Sequence, residues 1–133
     1  MANAIYPKYK EALLNGSANT NMSSGTVKIA LVDTGTYTYS SAHEFLTSLT
    51  GTVGTAQTLG TKTFTNGTFD AANSTFTAVS GATVEALVVY IDTGVAGTSR
   101  LIAYLDTGIT GLPVTPNGGD INVTYDAAGI FTL

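Results

Sequence analysis

The chain contains no cysteine and no tryptophan, one histidine, and few charges of either sign. Without cysteine there is no disulfide, no thiol nucleophile, no cysteine zinc site and no iron–sulfur cluster. A single imidazole, His43, excludes a histidine-rich metal site. Five basic residues against nine acidic ones leave a net charge of −4. Nucleic-acid affinity rests on clustered Lys and Arg neutralising phosphates, so no nucleic-acid partner is expected. The longest apolar run, Ala86 to Ile91, is far shorter than the roughly 20 residues of a spanning helix. The opening Met1-Ala2-Asn3-Ala4 lacks a basic stretch followed by an apolar one. Neither a membrane span nor a signal peptide is expected.

What is present is 133 residues, one domain's worth. Such a chain exposes roughly 20,000 Å² unfolded and about 6,500 Å² folded, enough burial for a core without disulfides. A hydrophobic content of 44% and a mean hydropathy of +0.24 exclude intrinsic disorder. Charged residues make up 11%, against about 25% in an ordinary soluble domain. Threonine is the commonest polar residue, so the surface is expected to be neutral hydroxyl and amide. Free monomers rely on surface charge for solubility, and a surface this neutral suggests coverage by other subunits.

The spacing of apolar residues predicts a mainly β fold, an antiparallel β-sandwich or jelly-roll-like domain over 26–133, preceded by a helical arm and linker over 1–25. Ile5, Tyr9, Ala12 and Leu13 line one helical face, with Pro7 in the first turn and Asn15-Gly16 as the stop. Thr26 to Asp33 alternates as a strand. Ser41-Ala42-His43-Glu44 has the form of a capping box ahead of Phe45, Leu46 and Leu49, which predicts one short inserted helix closed by Gly51. A weak strand falls within 51–62. Asn66-Gly67 between Thr63-Phe64 and Thr68-Phe69 is a hairpin signal. Further strands are expected at Ser74 to Val79, Arg100 to Leu105, and Ala82 to Ile91, the last apolar on both faces and so central. Asp120 to Tyr125 and Gly129 to Leu133 are expected to pair as a closing hairpin. Phe64, Phe69 and Phe76 are expected to point inward.

One tripeptide occurs three times after apolar residues: Asp33-Thr34-Gly35, Asp92-Thr93-Gly94 and Asp106-Thr107-Gly108. It resembles the catalytic loop of retroviral-type aspartic proteases, in which two Asp carboxylates of a dimer share one proton. Three copies compete here for one role, and no later apolar-Gly segment reads as the support behind such a loop. Strand exit into a turn in which Asp accepts backbone N–H groups explains all three copies. The protease, working through Asp33, stays a remote alternative. It predicts that Asp33→Asn abolishes cleavage while Asp92→Asn does not.

Other groupings are weaker. Ser40, Ser41, His43 and Glu44 are neighbours on one turn and do not face one another as a triad requires. Asp92, Asp106, Asp120 and Asp126 lack the spacing of a calcium loop and read as strand ends. Thr115 to Asp120 lacks the Lys of a phosphate cradle and reads as a turn. No catalytic, cofactor-binding or metal-ligating residue is assigned. The candidate interface is Tyr6, Lys8, Tyr9 and Lys10 on the first helix, either an arm that docks on a partner or a helix whose apolar side covers its own sandwich.

A longer pattern runs through nearly the whole chain. It includes Ala4-Ile5-Tyr6-Pro7 with Lys10-Glu11-Ala12-Leu13-Leu14, then Tyr37-Thr38-Tyr39-Ser40 with His43-Glu44-Phe45-Leu46. It continues through Lys62-Thr63-Phe64, Phe69-Asp70-Ala71, Phe76 to Gly81 and Gly111 to Asp120. In these segments the chain resembles a recurring small virion protein of tailed bacteriophages and their prophages. The resemblance implies a non-enzymatic structural protein located in the virion, in many copies. It points to a capsid decoration or cement protein that binds the major capsid protein, with a tail or head–tail position as the alternative. It further implies a homo-oligomer, taken as a trimer, and carries no cofactor.

Overall fold

The computed structural model describes residues 3–133. The chain is mainly β, with 37% of residues in strands and 9% in helix, and all strand pairs are antiparallel. The largest sheet has five strands: β1 (Ala4–Ile5), β2 (Thr26–Val32), β3 (Thr52–Thr58), β7 (Ala86–Asp92) and β8 (Leu101–Leu105). Their spatial order is β1-β8-β7-β2-β3. A three-stranded sheet orders β10 (Phe131–Thr132), β5 (Thr68–Asp70) and β4 (Thr63–Thr65), and β6 (Ser74–Phe76) pairs with β9 (Ile121–Val123). The accessible surface, 6339 Å², matches the size expected of a folded chain of this length.

β7 is central because both of its faces are apolar, and every residue from Ala86 to Ile91 is buried. On one face, Leu31, Val89 and Ala103 meet the small sheets, which bring Phe69, Phe76, Ile121 and Ile130 into the same core. The other face carries Ala30, Val88 and Tyr104 and is covered by the segment 37–49 through Tyr37, Tyr39, Leu46 and Leu49. This gives a sandwich-like arrangement with an extra cover on one side.

The single α-helix among the described residues is α1 (Pro7–Asn15). Pro7 lacks the N–H that a first turn leaves unbonded anyway. Gly16 ends the helix at φ 65°, its N–H on Leu13 O while Ser17 N–H reaches Ala12 O, a Schellman-type closure. Residues 17–25 are fastened to the body: Tyr9 Oη donates to Thr20 O, Lys62 Nζ to Met22 O and Gly25 O, and Arg100 Nε to Ala18 O. With β1 in the main sheet and Tyr6, Tyr9, Ala12 and Met22 buried, the segment preceding β2 packs as part of the same body.

Three expectations need correction. The inserted helix is reduced to a three-residue 3₁₀ turn, Leu46–Ser48. The capping box does not form there: Glu44 Oε1 takes Arg100 Nη1 at 3.1 Å, and Phe45 bridges Arg100 in a short antiparallel pairing that holds the backbone extended. The last two strands do not pair with each other. β9 pairs with β6 and β10 with β5, so the chain closes two small sheets rather than one hairpin. Phe69 and Phe76 are buried as expected, but Phe64 is 43% exposed on the outer strand β4.

Candidate interaction surface

The three Asp-Thr-Gly copies all follow strand ends, yet they are not one structure repeated. Asp33 Oδ1 accepts Gly35 N–H at 2.9 Å and its Oδ2 accepts the Thr36 hydroxyl at 3.0 Å. Asp92 Oδ1 accepts Gly94 N–H at 2.9 Å in the same way. In the third copy the backbone N–H groups of Asp106 and Thr107 are bonded instead by Asn3 Oδ1, at 2.7 and 2.9 Å. Gly94 and Gly108 take positive φ, 84° and 72°, whereas Gly35 does not. The antiparallel pairing of β2 with β7 puts Asp33 and Asp92 at opposite ends of the sheet. Asp92 is also held by Lys28 Nζ at 2.9 Å, a contact that lowers the carboxyl pKa and raises that of the ammonium. The Asp33 and Asp92 carboxylates thus each have a local bonding role. Among the described residues, no group of three or more His, Asp or Glu could hold a metal ion.

The helix residues divide sharply. Tyr6 is wholly buried and Tyr9 is 3% exposed, so neither ring faces a partner; both belong to the core. Lys8 pairs with Glu11 at 3.1 Å. Lys10 is exposed. The arm therefore offers a partner its lysines and not its aromatics.

A buried polar chain, missed by sequence reasoning, underlies the cover segment. Tyr6 Oη lies 2.8 Å from Tyr37 Oη, which lies 2.7 Å from His43 Nδ1. The Tyr37 hydroxyl thus links the Tyr6 phenol to the imidazole, able to donate to one and accept from the other. Tyr39 packs between Tyr6 and Tyr104 with tilted rings, centroids at 5.1 and 5.5 Å. Burial raises the pKa of Tyr6, Tyr37, Tyr39 and Tyr104, and pushes Tyr9 and Tyr125 up to about 12. At neutral pH these phenols stay protonated, and those of Tyr6, Tyr9, Tyr37 and Tyr125 act as hydrogen-bond partners. The Tyr-x-Tyr-Ser-x-x-His run carried a signal for this cluster, but its partner Tyr6 lies 31 residues away from Tyr37.

The strand edges are the most unusual surface feature. The outer strands of the two larger sheets are β1, β3, β10 and β4, and none contains a charged residue or a proline. Soluble monomers usually block edges with Lys, Pro or short covered strands. Here β1, β10 and β4 are only two or three residues long, and β3, the one long edge, carries a bulge where the register shifts opposite Ile29/Leu31 and Gly54 turns to φ 67°. All three residues of β4 are exposed. The chain matches no protein-family model and no curated protein. No helix among the described residues is long and apolar enough to cross a membrane.

Proposed function

We propose that this chain is a structural protein of a tailed-bacteriophage virion, a capsid decoration or cement protein that staples neighbouring major capsid subunits and assembles as a homo-oligomer. The observation that carries the reading is the set of uncharged, proline-free edge strands on a body with 11% charged residues. Such edges extend a neighbour's sheet through main-chain hydrogen bonds, and neutral threonine surfaces avoid the cost of burying charge. The resemblance of the sequence to small phage virion proteins supports the same reading. A rigid β body with a firmly packed N-terminal helix suits a passive staple. It stabilises a shell by binding the assembled state and not the open one.

The test is made on particles. Purified virions should contain the chain in many copies, and particles stripped of it should release DNA at lower temperature. Unchanged heat resistance after complete removal overturns cementing. Antibody labelling confined to the tail would move the protein to the tail or head–tail position.

A further inference from the structure

A groove of about 430 Å³ lies between the free edges of two different sheets. Ile5 of β1, with Ala103 and Leu105 beside it, forms one wall, and Phe131 and Thr132 of β10 form the other. In an antiparallel ladder, successive residues turn their N–H and C=O alternately toward and away from the partner strand. Tyr6 N–H bonds Ile102 O at 2.9 Å, so the neighbouring Ile5 directs its own N–H and C=O away from β8. Leu133 N–H bonds Gly67 O at 3.0 Å, so Thr132 likewise directs its main-chain groups away from β5. The groove is thus walled by two strand edges that each offer one outward N–H and C=O pair.

The charge at its mouth defines what fits. Four of the five side-chain cations are engaged: Lys8 with Glu11, Lys28 with Asp92, Arg100 with Glu44, and Lys62 with two backbone carbonyls. Among the described residues Lys10 alone meets neither a carboxylate nor a carbonyl, and it lines this groove. No acidic residue lines the groove with it. We infer that the groove between β1 and β10 receives an extended, carboxylate-bearing segment of a neighbouring protein subunit, held by strand addition at Ile5 and Thr132 and by an ion pair with Lys10. The segment's apolar side chains lie on Ile5 and Phe131, and the Lys10 ammonium selects an acid over a base.

This inference takes its source of the segment from the assembly reading above, but its test uses the isolated chain and so can fail separately. The probes are two blocked peptides alternating valine and threonine around one central residue, glutamate in the first and lysine in the second. Amide resonances are followed during titration to about 1 mM, the weak-binding range for so short a segment. The glutamate peptide is expected to bind saturably and to slow hydrogen exchange at the Ile5 and Thr132 amides. Lys10→Glu, a surface change, is expected to weaken that peptide about tenfold and to favour the lysine peptide. Thr132→Pro removes an outward N–H and no ladder bond, so it is expected to keep the fold by circular dichroism and lose the binding. No saturable change at Ile5 and Thr132, or equal binding of the two peptides to wild type and Lys10→Glu, overturns the inference. A groove that binds as stated on a chain absent from virions would leave it standing while the assembly reading falls.

Discussion

Removing the Tyr37 hydroxyl leaves the Tyr6 hydroxyl buried without its hydrogen-bond partner, because Tyr6 is wholly enclosed and Tyr37 links it to His43. An orphaned buried donor costs about 1–3 kcal/mol, whereas Tyr6→Phe leaves Tyr37 still bonded to the imidazole. Urea unfolding should therefore rank Tyr37→Phe as clearly more destabilising than Tyr6→Phe, with the double variant, which leaves no orphaned hydroxyl at position 6, more stable than Tyr37→Phe alone. Lys28 and Asp92 give a second residue-scale expectation, in pH. Asp92 has its carboxyl pKa lowered, first by the hydrogen bond from Lys28 and then by Gly94 N–H. The folded state thus holds this proton less tightly than the unfolded chain does. The stabilisation is complete above the ordinary aspartate range near pH 3.9 and is lost as pH falls through the lower folded value. At the alkaline end the raised Lys28 pKa has the opposite sign, so its contribution holds below the ordinary lysine range and fades above it. Stability measured against pH should lose part of its acid-side slope in Asp92→Asn.

Among the elements, β7 is buried over all but its last residue, and its residues show how far a sequence specifies its own fold. Leu87 is wholly buried between Leu31 and Leu105, so Leu87→Ala should cost about 2–5 kcal/mol in urea unfolding. Leu14, 89% exposed on α1, should change stability by no more than about 0.5 kcal/mol when cut to alanine. Both follow from periodicity: the two-sided apolar run of β7 and the one-sided stripe of α1 are local signals. The β4–β5 hairpin was equally legible, since Asn66 and Gly67 take the positive φ values, 53° and 78°, that its tight turn requires. The capping box at Ser41 was misleading because Glu44 and Phe45 are claimed by Arg100, 56 and 55 residues away from them, and no local pattern encodes that competition. The partners of β9 and β10 were illegible for the same reason. Strand pairing is non-local, and two short strands separated by a turn-rich stretch look like a hairpin whether or not they pair. A loop glycine shows the limit from the other side. Gly111 sits at φ 106° with the Asn122 carbonyl oxygen where a side chain would go, so Gly111→Ala should disturb the Thr110–Thr124 bridge and lower the unfolding midpoint.

For the whole molecule, the neutral edges and the groove share one origin, the small number of charges in the chain. The candidate surface was half visible in the sequence: the low charge and the helix lysines were read, but the groove unites β1 with β10, from opposite ends of the chain. Spacing along α1 placed Tyr6 and Tyr9 near the lysines without saying which side met the core, and packing against Tyr37, Tyr39 and Thr20 decided it. If open edges are the contacts of an assembly, a charge placed on them should separate folding from association. Thr65 on β4 and Thr55 on β3 are both exposed, so Thr65→Lys with Thr55→Lys should shift unfolding by no more than about 0.5 kcal/mol per site. The same pair puts ammonium groups where a neighbouring strand would lie, and burying them unpaired is costly. Light scattering should then give the 13.6 kDa mass of a single chain where wild type gives a multiple, and the variant should be missing from assembled particles. A variant that folds, associates and enters particles like wild type would show that the bare edges are not the joints, and the assembly reading would lose the observation on which it rests.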